Sequence, residues 1–230
     1  MRIYPIAFAA LIIGVSAQAG TIVAPNGNTS ANGNSSQLDP FGEGGNPQEF
    51  QWLLNGSQLT SMVGDNITAI GFRVASGLSD QAPSTINSFD MELSSSNNPI
   101  GSLSTTYADN IGSNAVTVYN APLSLPALTG GAGPNPFFLI TFETPFTYTG
   151  GNLLMTLISS SDDSFAVDAN AVGDGLGDTV AFYPTNSTKA EYYNYPITEF
   201  QFTTPEPPSF CLLVLGLLAF GPLARRTTSR

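Results

Sequence analysis

Between residues 50 and 204 the chain alternates apolar and polar side chains with a period of two, again and again. No segment there carries a long stripe of period 3.6. Phe50, Trp52 and Leu54 alternate, as do Thr68, Ile70, Phe72 and Val74. Phe89, Met91 and Leu93 point one way, with Ser88, Asp90, Glu92 and Ser94 the other way. Val116 and Val118 alternate with Thr117 and Tyr119, and Phe138, Ile140 and Phe142 mark a further strand. Leu153 to Ser159 is almost continuously apolar, the pattern of a strand buried on both faces. Phe165 with Val167, Val180 with Phe182, and Phe200 with Phe202 complete the series. Clusters of Gly, Pro, Asn and Asp separate these runs, and one short helix is expected near Ser57 to Met62. About nine strands with turn-rich links predict an all-β fold, an antiparallel β-sandwich or jelly roll. The absence of βαβ spacing excludes a parallel sheet.

Residues 20–49 read differently. Of these 30 residues, 14 are Gly, Asn or Ser, which predicts a loose segment with one short strand at Thr21-Ile22-Val23.

Composition removes several chemistries. The 230 residues include no His, which excludes Ser-His-Asp and Cys-His catalysis and any imidazole metal site. One Cys, Cys211, permits no internal disulfide and no Cys-cluster zinc site. Residues 20–204 hold 16 acidic side chains against two basic ones, Arg73 and Lys189, a formal charge of −14. Such a chain has no basic face for phosphates, so nucleic acid is excluded as a partner, and divalent cations are attracted.

The two ends read as addresses. Arg2, the apolar run Ile6 to Val15 and the small residues of Ala17-Gln18-Ala19 predict a secretory signal peptide over residues 1–19, cut before Gly20. Its partners would be the Sec translocon and signal peptidase. At the other end Pro205-Glu206-Pro207 breaks the last strand. Ser209 to Ala224 follows, uncharged and Leu-rich, and then Arg225, Arg226 and Arg230. Sixteen apolar residues in a helix span roughly 24 Å, enough to cross a locally thinned bilayer. The arginines would stay cytoplasmic, leaving residues 20–204 outside.

This series over residues 205–230 resembles the PEP-CTERM sorting signal. The resemblance implies a bacterial protein recognised at the inner membrane by an exosortase, with Pro205, Glu206 and Pro207 as the processing region. It also implies a link to exopolysaccharide and biofilm. Two further stretches, Ile67 to Arg73 with Phe89 to Ser94, and Pro145 to Leu154, resemble β-sandwich modules of bacterial surface proteins. That resemblance implies fold and location but no catalytic residue; Phe146 and Tyr148 would pack the sandwich edge before a Gly-Gly-Asn turn.

Several residues invite chemistry. Asp162, Asp163, Asp168, Asp174 and Asp178 form the densest acidic stretch and could supply oxygens to calcium, although the stretch departs from the EF-hand pattern at Val172 and Thr179. Tyr192, Tyr193 and Tyr195, beside Glu191 and Asn194, could stack against sugar rings. Asp90 and Glu92 share one strand face, an arrangement of interest for glycoside hydrolysis only if one is buried and the spacing fits. Ser187 and Lys189 invite a Ser-Lys reading, but the loop is too polar to desolvate the amine. Each of these has a simpler reading as solvated surface or ordinary packing. The sequence therefore predicts an exported, non-enzymatic surface or matrix protein without a required cofactor. The alternative is a carbohydrate-binding module or acidic-residue glycosidase held by the same tail.

Overall fold

A computed structural model of the chain describes residues 18–38, 41, 48–160, 165–182, 190–191 and 194–205. Among them lie thirteen strand segments, and every pairing is antiparallel. They are β1 (Ala19–Ala24), β2 (Ser35–Gln37), β3 (Gln48–Leu54), β4 (Asn66–Arg73), β5 (Ser84–Ser96), β6 (Val116–Leu125) and β7 (Phe137–Thr147). The rest are β8 (Asn152–Ser159), β9 (Val167–Asn170), β10 (Gly177–Phe182), β11 (Ala190–Glu191), β12 (Tyr195–Pro196) and β13 (Thr198–Thr203). A four-stranded sheet runs β1-β13-β4-β7, a six-stranded sheet runs β11-β10-β3-β8-β5-β6, and a small sheet runs β12-β9-β2. The short helix expected near Ser57 to Met62 is a pair of single 3₁₀ turns, Gly56–Gln58 and Thr60–Met62. No helix among the described residues is long and apolar enough to cross a membrane, and Ser209 to Ala224 lies outside them.

The period-two pattern accounts for the two-layer packing. In the four-stranded sheet Ile22, Phe200, Ile70 and Ile140 lie in one row across β1, β13, β4 and β7. In the six-stranded sheet Trp52, Met155 and Leu93 form a corresponding row across β3, β8 and β5. Both rows belong to one cluster, buried except for Ile22, which packs against its margin, and Trp52 meets Phe72 edge to face with ring centroids 5.7 Å apart. That contact joins the two sheets in an arrangement aromatic rings favour. β8 lies between β3 and β5, and Leu153, Leu154 and Met155 are all buried, which explains its continuous apolar run.

The N-terminal segment departs from expectation. Its described residues join the fold through β1, which contains the short strand expected at Thr21-Ile22-Val23, and also through β2 and the first residues of β3, which composition does not indicate. Phe41 is fully buried, stacked on Phe165 at 5.2 Å and edge-on to Phe72 and Phe138, each at 5.6 Å. With Phe89 stacked on it as well, this single ring has four aromatic neighbours, which anchor the segment more strongly than its Gly and Asn content loosens it. β4 also departs from simple alternation: the register shifts between Ile67 and Ala69, so Thr68 falls at a bulge.

A second, smaller apolar cluster sits on the outer face of the six-stranded sheet. Leu53, Leu154 and Val180 are covered by Leu103, with Ile100, Tyr107 and Ile111 packed around them. The segment between β5 and β6 thus covers Leu53, Leu154 and Val180 with Ile100, Leu103, Tyr107 and Ile111.

Candidate functional site

The two ends of the compact unit Ala19–Thr204 meet in one strand pair. Ala19 lies opposite Thr203 and Gly20 opposite Phe202 at the start of β1. β-Branched Thr21, Ile22 and Val23 favour this pairing. A Cβ at Gly20 would come within 2.4 Å of the tip of the Phe202 ring, so a larger residue there makes that partly exposed ring turn aside. Past Thr203, residues Thr204 and Pro205 are exposed. Pro205 has no N–H to continue the ladder. Ala17, Glu206, Pro207, Arg225, Arg226 and Arg230 lie outside the described residues.

The acidic stretch contributes three separate structural carboxylates. Asp168 on β9 pairs with Arg73 of β4 at 2.7 Å, both side chains buried. It also accepts the Gly33 N–H at 3.0 Å, while Arg73 donates to the Ala31 carbonyl at 2.6 Å and lies over the Phe137 ring. Asp178 is buried and accepts the N–H groups of Gly101, Leu103 and Thr179 at 3.1, 3.2 and 2.9 Å. Asp174 accepts the Leu176 N–H at 2.8 Å and the Tyr195 hydroxyl. Each carboxylate is satisfied where it stands, and no three acidic side chains gather among the described residues. Asp162 and Asp163 lie outside them.

Tyr195 corrects the sugar-platform expectation. Its ring is fully buried against Gly177, where a Cβ would approach the ring to 2.5 Å. Burial, with the hydrogen bond to Asp174, pushes its phenol well above the ordinary range. A ring so enclosed has no face for a ligand; Tyr192 and Tyr193 lie outside the described residues, as do Ser187 and Lys189.

Asp90 and Glu92 are half-buried on the outer face of β5. Desolvation raises both carboxyls, Glu92 further through the neighbouring Asp90, and desolvation likewise raises Glu49 on β3. A groove of about 540 Å³ is lined by Thr21, Val23, Phe137 and Glu199 among others. A smaller one of about 300 Å³ is lined by Ile100, Val172, Asp178 and glycines. Neither contains Asp90 or Glu92.

Beside Glu92 lies a polar network that sequence reading missed. Gln51 on β3 is fully buried and donates to the Thr156 hydroxyl on β8 at 3.0 Å. Asn110, from the covering loop, donates to the Gln51 carbonyl oxygen at 2.8 Å. The available signal was a single polar residue inside each of two otherwise apolar strand runs, Gln51 within Phe50 to Leu54 and Thr156 within Leu153 to Ile158. No protein-family model, curated protein or solved structure matches the chain.

Proposed function

We propose that this chain is an exported, non-enzymatic cell-surface or extracellular-matrix protein. Its precursor is held in the inner membrane by Ser209 to Ala224 and processed by an exosortase at Pro205-Glu206-Pro207. The strand pair that joins Ala19 to Thr203 carries this reading. It lets the sandwich keep nearly every residue of its sheets after cleavage before Gly20 and near Glu206, so both addresses can be removed without opening the core. The mature domain serves the extracellular polymer layer through its acidic surface, since its one described basic side chain, Arg73, is buried against Asp168.

The reading is tested by deleting residues 209–230. The expected product is soluble, folded and exported, with Gly20 at its N-terminus by mass spectrometry. Retention of residues 1–19 on the exported protein, or a membrane-bound product despite the deletion, would overturn it.

A further inference from the structure

We propose that the groove on the outer face of the four-stranded sheet binds a neutral glycan chain, a short run of sugars at a time. This names a ligand for the proposed place in the extracellular polymer layer, and rests on that reading only for the source of the glycan.

The face is built by the strand register. Ile22, Phe200, Ile70 and Ile140 form the row toward the core, so the residues next to them along each strand face outward. Val23, Glu199, Gly71 and Leu139 make one outward row across β1, β13, β4 and β7. Thr21 and Phe137 stand two residues along from Val23 and Leu139 and share that face. Gly71 raises no side chain between Glu199 and Leu139; a Cβ there would come within 2.9 Å of Leu139. The groove of about 540 Å³ takes its lining from β1, β13 and β7, with Asn26, Thr29 and Ser61 from the neighbouring turns. β1 and β7 are three strand spacings apart, about 14 Å. A cleft of that length is longer than one sugar ring and suits a stretch of a chain.

The lining selects the chemistry of the ligand. Phe137 is partly exposed, and the Arg73 guanidinium lies over its ring, 4.9 Å from the centroid. Arg73 is itself held by Asp168, so the ring is fixed before a ligand arrives, which lowers the cost of binding. Phe137, Ile22 and Val23 offer apolar surface to the C–H faces of sugars. Thr21 and Ser61 are exposed and carry hydroxyls that both donate and accept. The Glu199 carboxylate accepts from Gln201 Nε2 at 3.4 Å and keeps lone pairs for two adjacent sugar hydroxyls. Glu199 also excludes anions. Arg73 is committed to Asp168, and no Lys or Arg among the described residues lines the groove. A phosphate, sulfate or uronic acid would face that carboxylate uncompensated.

The test is calorimetric titration of the purified full chain, kept in a detergent without a sugar headgroup. The probes are neutral tetrasaccharides of glucose, galactose, mannose and N-acetylglucosamine, with tetragalacturonate as the anionic counterpart. At least one neutral probe should bind saturably and slow hydrogen exchange in peptides covering Thr21 to Thr29 and Glu199. Tetragalacturonate should bind at least about tenfold more weakly, the scale of one unfavourable charged contact. Glu199→Gln keeps the shape of the side chain and Phe137→Leu keeps its apolar bulk. Each should weaken the neutral probe about tenfold with an unchanged circular dichroism spectrum. Asp109→Asn, on the segment that covers the other sheet, should leave the affinity unchanged. Failure of every neutral probe to bind would overturn the proposal, as would equal binding of tetragalacturonate or wild-type affinity in both groove variants. Protection confined to peptides outside the groove would overturn it too. None of these outcomes touches export or processing, which do not enter the titration.

Discussion

Arg73 and Asp168 meet at 2.7 Å in the interior, with 1% and 3% of their side chains exposed, and join β4 to β9. The pair also holds the N-terminal segment, through the Ala31 carbonyl and the Gly33 N–H. A buried pair costs desolvation, but losing one partner leaves an uncompensated charge. Asp168→Ala should therefore destabilise the domain by about 3–5 kcal/mol in denaturant unfolding. The double variant Arg73→Met with Asp168→Leu should recover much of that loss, because neither charge is then stranded.

Gly177 and Tyr195 form a second dependency. The ring lies where the Gly177 Cβ would be, and its hydroxyl is committed to Asp174. Gly177→Ala should overpack this site and cost about 1–3 kcal/mol, read as a lowered unfolding midpoint. An unchanged midpoint would mean that the ring can move aside freely.

Tyr148 predicts behaviour at alkaline pH. Its side chain is buried, its hydroxyl donates to the Gly151 carbonyl, and burial pushes its pKa from 10.0 up to about 12. The neutral phenol is thus favoured by folding. Its contribution is fully present below pH 10 and is lost as pH rises toward 12. Tyr148→Phe should lower stability by about 1 kcal/mol at neutral pH through the lost hydrogen bond. It should also flatten the decline in melting temperature between pH 10 and 12. Equal alkaline slopes for both proteins would contradict this.

The sandwich is legible in the sequence because burial on one face of a strand writes itself as alternation. β3, β5, β7 and β8 can all be located from Phe50, Phe89, Phe138 and Leu153 onward. The role of residues 20–49 is not legible in this way. The short strand at Thr21-Ile22-Val23 can be read, but its partner is β13 at the far end of the domain, and Phe41 is a core residue standing alone between Pro40 and Gly42 with no alternating run to mark it. The aspartates mislead for a related reason. An acidic residue in a Gly-rich stretch reads as solvated or metal-binding, whereas Asp168 is buried by an arginine 95 positions away. Gln51 and Thr156 are likewise brought together only by the β3–β8 register.

The most direct measurement of the account is the fate of Glu206→Ala in a host that carries an exosortase, followed by cell fractionation and immunoblot. Thr203 is the last paired residue before this region, and Pro205 and Pro207 have no N–H to offer a strand ladder on either side of Glu206. Glu206→Ala should be exported and inserted like the wild type, then accumulate as unprocessed precursor in the membrane fraction. Processing at the wild-type rate would contradict the sorting assignment.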